Sequence, residues 1–283
     1  VDASKRFNLN AQKTLDICQQ LYERHKLITY PRSDCRYLPN GHYDERQTVT
    51  NSIAKTAMGL LDAVDKADLS MRSKAWNDAK VGAHHAIIPT SRSMPSDRLS
   101  QDEKNIYELV ARQYLMQFYP AFEYAEHQID SKIASGLFIA KKKSVISDGW
   151  KVLLPPNKSE KQDRDFSSEV LPNVKEGDAV TCTDVRVDEK HTSPPKRFTD
   201  ATLLAAMTGI ARFVSDPEIK KVLRDTDGLG TEATRAGIIE LLFKRQFLTK
   251  KGKEIHSTEI GRQLVKSLPD RMVDPDMTAH WES

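Results

Sequence analysis

The sequence predicts a multidomain α+β protein in which two mainly helical regions flank a β-rich middle. Three observations lead there. Apolar residues recur every three or four positions near both ends, short β-type runs punctuated by glycine fill the centre, and 283 residues suit two or three compact domains. The expected division is a helical domain over 1–120, a β-rich segment over 121–192 and a helical domain over 193–283.

Within residues 9–26, Ala11, Leu15, Cys18 and Tyr22 share one helical face. Leu27-Ile28-Thr29-Tyr30 reads as a short buried strand ended by Pro31. A second helix fits Val49, Ile53, Ala57, Leu60, Leu61 and Val64. A third opens at Ser100, whose spacing to Glu103 is that of a capping box, and continues through Ile106, Leu109, Val110 and Met116. From Ile129 to Ile146 the runs are strand-like, as are Val152-Leu153-Leu154, Ala179 to Cys182 and Val185 to Val187. Strands that follow one another with turn signals and no helix between them predict antiparallel pairing. Asn157 to Ser168 is polar and charge-rich, and reads as a mobile loop. After Pro194-Pro195, Thr199 is the expected N-cap of a helix through Val214, and a further helix fits Thr234 to Arg245.

With 39% hydrophobic and 29% charged residues the chain has material for real cores and is not disordered in composition. A formal charge of +3 does not by itself announce a nucleic-acid binder. No apolar run approaches the ~20 residues of a membrane helix. Cys18, Cys35 and Cys182 lie far apart, which argues against a disulfide framework or a cysteine zinc site and for a reducing, cytoplasmic setting. The start at Val1 and the end at Ser283 are read as those of an excised fragment.

Three segments carry possible chemistry. In Thr29-Tyr30-Pro31-Arg32-Ser33-Asp34 a phenol, a poor nucleophile with a pKa of about 10, lies two residues from a guanidinium whose fork matches two phosphate oxygens. Taken alone, the pair reads more often as a Tyr closing a small core and an Arg in solvent. Ala83-His84-His85-Ala86 offers an imidazole that could donate to a phosphate; adjacent histidines face different ways, so the two make a poor metal pair. Thr226-Asp227-Gly228-Leu229-Gly230-Thr231-Glu232-Ala233-Thr234-Arg235 leads glycines into a helix start, with hydroxyls from Thr231 and Thr234 and charge from Arg235. Lys244, Arg245, Lys250, Lys251 and Lys253 follow it, a patch suited to a phosphate backbone or to a solvated helix face.

Taken together, these segments resemble the type IA DNA topoisomerases of the bacterial topoisomerase III branch. The resemblance runs in order through Asn10 to Asp16, Leu27 to Leu38, Ala83 to Thr90, Arg197 to Leu204, Leu229 to Leu242 and Pro275 to Glu282. It implies that Tyr30 attacks single-stranded DNA to form a 5′-phosphotyrosine link, without ATP. Arg32 would grip the scissile phosphate and His84 would assist its transition state. Arg197, Thr231, Thr234 and, to a lesser degree, Arg235 would lie along the groove holding the single strand. His85 takes no catalytic role. The middle segment would be part of the family's arch, and the last domain would carry winged-helix-like elements.

The same resemblance implies a Mg²⁺ ion held by carboxylates of an N-terminal Toprim domain. The chain has no metal site to match: Asp225 and Asp227 have a suitable spacing but stand at the glycine-rich helix entry. The expected partners are single-stranded DNA, the Toprim domain, and a helicase or single-strand binding protein; a membrane is not among them, and the chain is expected to be monomeric. Without the Toprim domain it is not expected to complete relaxation. Two rival readings stand beside this one. A winged-helix regulator of double-stranded DNA would use the last helices and the basic hairpin from Phe247 to Ser257, leaving Tyr30 and His84 idle. A recombinase or relaxase would gather more Arg and His around its tyrosine.

Overall fold

The computed structural model describes residues 1–155, 171–225, 228–275 and 277. The loop expected over Asn157 to Ser168 lies outside the described residues, as does most of the Pro275 to Glu282 motif. By contact the chain forms two units: one of residues 1–66, 73–114 and 195–283, the other of 67–72 and 115–194. The helical regions from the two ends of the sequence therefore share one unit.

In the first unit the expected helix near the start spans Ala11–Glu23, with the Asn10 side chain accepting from the Lys13 N–H at 2.7 Å. It stops where Lys26 takes a left-handed conformation with φ 58°, and the Leu27 N–H turns back to the Leu21 carbonyl at 2.8 Å. Leu21, Leu27, Ile28 and Ile53 are fully buried. The capping box at the third helix is present: Ser100 N–H donates to Glu103 Oε2 at 2.8 Å and Glu103 N–H to Ser100 Oγ at 3.3 Å, opening Gln101–Leu115. Thr199 caps Asp200–Thr208 in the same reciprocal way, through Thr202.

Three expectations need correction here. The helix read from Val49 to Val64 is Arg46–Thr56, a 3₁₀ turn Met58–Leu60 and Leu61–Asp65, broken at Ala57. Leu60 and Ala63 stay buried across the break, so the apolar period continued where the backbone did not. Leu27 to Tyr30 makes only one isolated bridge, Ile28 to Pro89. Prolines at 31 and 89 supply no N–H, so the ladder cannot extend in regular form. The helix from Thr199 ends at Thr208; beyond Gly209 a 3₁₀ turn Ile210–Phe213 follows, with Arg212 Nη2 donating to the Ala205 carbonyl at 2.8 Å.

An unexpected helix, Pro217–Asp225, packs Ile219, Val222 and Leu223 on Ile210, Ala211 and Val214. Its signal was present in Asp216-Pro217: the Asp216 carboxylate accepts from Glu218 N–H at 2.8 Å and Ile219 N–H at 3.1 Å, and proline suits the first helical position. The unit closes with Arg235–Lys244, an antiparallel hairpin of β1 (Leu248–Lys251) and β2 (Glu254–Ser257), Glu259–Ser267 capped by Thr258, and the short helix Asp270–Val273.

The second unit holds one long antiparallel hairpin, β3 (Glu123–Ile133) with β4 (Gly136–Ser147). Val152 and Leu153, read as strand, fall in the 3₁₀ turn Gly149–Leu153, whose Trp150 N–H donates to the Pro120 carbonyl at 2.9 Å. The runs at 179–182 and 185–187 form no strand; Val180, Val185 and Val187 are exposed. β-type composition makes a strand only where a partner edge is available, and among the described residues none pairs with them.

Candidate active site

Two segments distant in sequence run beside each other in the first unit. Thr29 N–H donates to the Ile88 carbonyl at 2.9 Å, Thr90 N–H to the Leu27 carbonyl at 3.0 Å, and Ala86 N–H to the Tyr37 carbonyl at 2.8 Å. Side chains lace the same seam. Thr90 Oγ1 donates to the Lys26 carbonyl at 2.6 Å, Ser33 Oγ to the His85 carbonyl at 2.8 Å, and Thr29 Oγ1 accepts from Ile88 N–H at 3.0 Å. Residues 27–38 and 83–90, each singled out for its chemistry, are thereby held as one surface.

On that surface the Tyr30 and His84 rings stack, with centroids 4.7 Å apart and 27° between planes. Tyr22, from the last turn of the first long helix, meets Tyr30 edge-on at 5.6 Å and 80°. The Lys26 ammonium stands 5.5 Å from the Tyr22 ring centroid. Tyr30 is half-buried and His84 exposed, so the phenol has a fixed ring plane and an accessible edge. Arg32 is half-buried, and its Nε is a buried donor with no hydrogen-bond partner among the described residues. An unpaired buried donor costs free energy unless something completes it, and an anionic oxygen would do so.

His85 points elsewhere. Its Nδ1 lies 2.7 Å from the Ala86 carbonyl oxygen and its ring meets His42 at 4.6 Å. Burial, and then the neighbouring His85, hold the His42 pKa below its ordinary value against the opposing pull of Glu45. Behind the seam, His25 Nε2 lies 2.9 Å from Glu103 Oε1 with both residues buried. Burial alone would raise the Glu103 carboxyl; hydrogen bonds from Ser100 and His25 outweigh it and hold the pKa below the usual value. This pair ties the chain just before Tyr30 to the start of Gln101–Leu115. Nothing in the spacing of the sequence announces it, nor the place of Tyr22.

The glycine-rich turn lies in the same unit, where its helix Arg235–Lys244 packs on Ala11–Glu23. Thr231 and Thr234 are exposed and bonded to each other's groups, Thr231 N–H donating to Thr234 Oγ1 at 2.9 Å. Arg197 is exposed. Arg235 is not: it is 6% exposed, its Nε donates to the Leu229 carbonyl at 3.0 Å and its Nη2 to the Gly230 carbonyl at 2.7 Å. The charge expected to face a phosphate is spent inside the turn, so Arg235 shapes the loop rather than offering a surface cation. Gly228, with φ 84°, approaches the Met207 carbonyl so closely that a Cβ would lie 2.3 Å from its oxygen.

Among the described residues no group of three or more His, Cys, Asp or Glu side chains could hold a metal ion, and no helix is long and apolar enough to cross a membrane.

A family model described as DNA topoisomerase matches residues 1–283. DNA topoisomerase 3 of Haemophilus influenzae is 56% identical over 283 residues, covering all of this chain and 43% of the relative. The Bacillus subtilis protein of the same name is 37% identical over 284 residues, covering 99% of this chain and 39% of the relative. The chain thus spans less than half the length of these curated relatives. Among solved structures, full-length topoisomerase I from Thermotoga maritima superposes with a TM-score of 0.62 at 23% identity, over 99% of this chain and 43% of that one, a likeness of fold.

Proposed function

The chain belongs to the DNA topoisomerase family, and from that premise we propose that it carries the nucleophile of a type IA enzyme of the topoisomerase III kind, acting on single-stranded DNA. The observation that carries the reading is the Tyr30–His84 stack beside an arginine whose buried Nε has no partner among the described residues.

The chemistry is a pair of transesterifications. Tyr30 Oη attacks phosphorus, an Oη–P bond forms as the P–O3′ bond breaks, the phenol gives up a proton and the departing 3′ oxygen gains one. One phosphodiester replaces another, so the reverse step reseals the strand without ATP. The Arg32 guanidinium would hold two non-bridging oxygens as its fork allows. His84 stacks on the phenol face, so its role is to fix the ring and present an N–H toward the phosphate rather than to lie in the phenol plane as its base. A positioned donor to charge that develops in the transition state contributes roughly 10²–10³-fold. Thr231, Thr234 and Arg197 would line the strand path.

The magnesium ion that the resemblance implies would be held by the Toprim domain, which would be this chain's partner in a complete cycle and without which relaxation would not be completed. A cytoplasmic, nucleoid-associated monomer working with a helicase or single-strand binding protein fits this role.

The test mixes the chain with the N-terminal portion of a curated relative, magnesium and a 3′-end-labelled single-stranded oligonucleotide, then adds denaturant. A labelled protein band that requires both Tyr30 and the N-terminal portion supports the reading, including the 5′-phosphate polarity. A band that survives Tyr30→Phe would overturn it.

A further inference from the structure

Resting on that reading of Tyr30 and His84, we infer that Asp78 is a positioning residue of the same site. Its carboxylate, held by Asn40, fixes the root of the loop that sets His84 against the phenol.

Apart from its stack on Tyr30, His84 has little to hold it. Gly82, Ala83 and His84 are exposed, and their N–H groups donate to no described residue. A Cβ on Gly82 would meet nothing within 4 Å, so no neighbour packs on the loop there. Left to itself such a stretch samples many backbone conformations, and its histidine would face Tyr30 in only some of them.

The restraint comes from the two ends, and both are tied to the stretch that follows Tyr30. Downstream, the Ala86 N–H donates to the Tyr37 carbonyl at 2.8 Å and Ser33 Oγ to the His85 carbonyl at 2.8 Å. Upstream, Leu38 N–H donates to the Ala75 carbonyl at 2.7 Å, and its carbonyl accepts from Asn77 N–H at 2.9 Å. The 3₁₀ turn Asp78–Lys80 then leads into the loop, with Val81 N–H donating to the Asp78 carbonyl at 3.1 Å.

Asp78 anchors that turn through both carboxylate oxygens. Oδ1 accepts from the Asn40 N–H at 2.8 Å and Oδ2 from Asn40 Nδ2 at 2.5 Å. Two bonds to one residue fix direction as well as distance, and a charged acceptor strengthens each. Lys80 adds a looser brace: its ammonium donates to Tyr37 Oη at 3.1 Å and lies 4.8 Å from that ring's centroid. The bonds from Asn40 therefore join the His84 loop to the chain that continues from Tyr30 and Arg32.

Asp78 and Asn40 are both exposed, so their bonds add little to global stability. A rate is more sensitive, because a shift of about 1 Å in a catalytic group can cost on the order of 100-fold. That contrast separates positioning from mere support.

The experiment times adduct formation, with the N-terminal portion of the curated relative present, for wild type, Asp78→Ala, Asp78→Asn, His84→Ala and Asp78→Ala/His84→Ala. Asp78→Ala should slow the step on the order of 10-fold, with single-strand affinity kept within about threefold and the thermal midpoint little changed. Asp78→Asn keeps an oxygen to accept from the Asn40 N–H and should recover most of the loss. In the His84→Ala background Asp78→Ala should do nothing further, because the geometry it guards is gone. A further loss of about 10-fold in that background would overturn the inference.

A second readout needs no activity. In nuclear magnetic resonance of the chain alone, the His84 ring protons, assigned by their disappearance in His84→Ala, should lie upfield under the Tyr30 ring. Asp78→Ala should move them toward the position of a free histidine, and Asp78→Asn much less. Signals that stay in place in Asp78→Ala overturn the inference whatever the cleavage result. Absence of adduct from the wild type, with the signals moving as expected, would instead sink the nucleophile reading and leave the loop geometry standing.

Discussion

Tyr30 and His84 stack at 4.7 Å with 27° between their rings, while Tyr22 meets the phenol edge-on at 5.6 Å. The nucleophile's ring plane is thus set by two side chains from two different segments. Replacing His84 by Ala should lower the rate of adduct formation by roughly 10²–10³-fold, the range of one positioned transition-state donor. Single-strand affinity should change by less than about threefold, because His84 is one contact among several along the strand. A quench-flow cleavage assay beside anisotropy separates the two; an affinity loss as large as the rate loss would make His84 a binding residue only.

Arg32 gives a prediction with two signs. Its buried Nε donates to no described residue, so folding gains little from it and bears the cost of the missing partner. Arg32→Met should leave stability unchanged or raise it by about 1 kcal/mol while reducing adduct formation at least on the order of 100-fold. Urea melts and the cleavage assay check both; a marked fall in stability would mean that Arg32 is a structural residue.

Arg235 reverses that pattern. Its guanidinium is spent on the Leu229 and Gly230 carbonyls inside the glycine turn. Arg235→Ala should cost roughly 2–3 kcal/mol through the carbonyls it leaves unpaired. Thr234→Ala, at an exposed position, should cost less stability, by thermal melt, than Arg235→Ala.

The His25–Glu103 pair sets an acid limit. Glu103 has a folded pKa below the ordinary 4.5, so its stabilisation is complete above that value and lost as pH falls through the lower folded value. Glu103→Gln should remove about 1–3 kcal/mol at neutral pH and flatten the acid limb below pH 4.5. Unfolding midpoints from pH 3 to about 7 measure both; an unchanged acid limb would assign it to other carboxylates.

Local chemistry made much of the fold legible. Ser100 and Thr199 announce their helices because a cap acts within three residues, and the Gly252 reversal makes the basic hairpin compact. Where the sequence misled, the decision lay outside the window being read. Ala57 breaks a helix whose apolar period continues, and the valines after 179 are strand-like in composition without a described partner edge.

The candidate site divides in the same manner. By itself the sequence determined which groups are present and which of them are neighbours along the chain: the phenol of Tyr30 two residues from the cation of Arg32, and the glycines leading into Thr234. Only the tertiary structure decided which of them face one another. It set His84 rather than His85 on the phenol, turned Arg235 inward, and joined His25 to Glu103 across most of a domain. The physical reason is range. Caps and turns are settled by hydrogen bonds a few residues long, whereas facing and burial depend on which distant backbone supplies the next hydrogen bond.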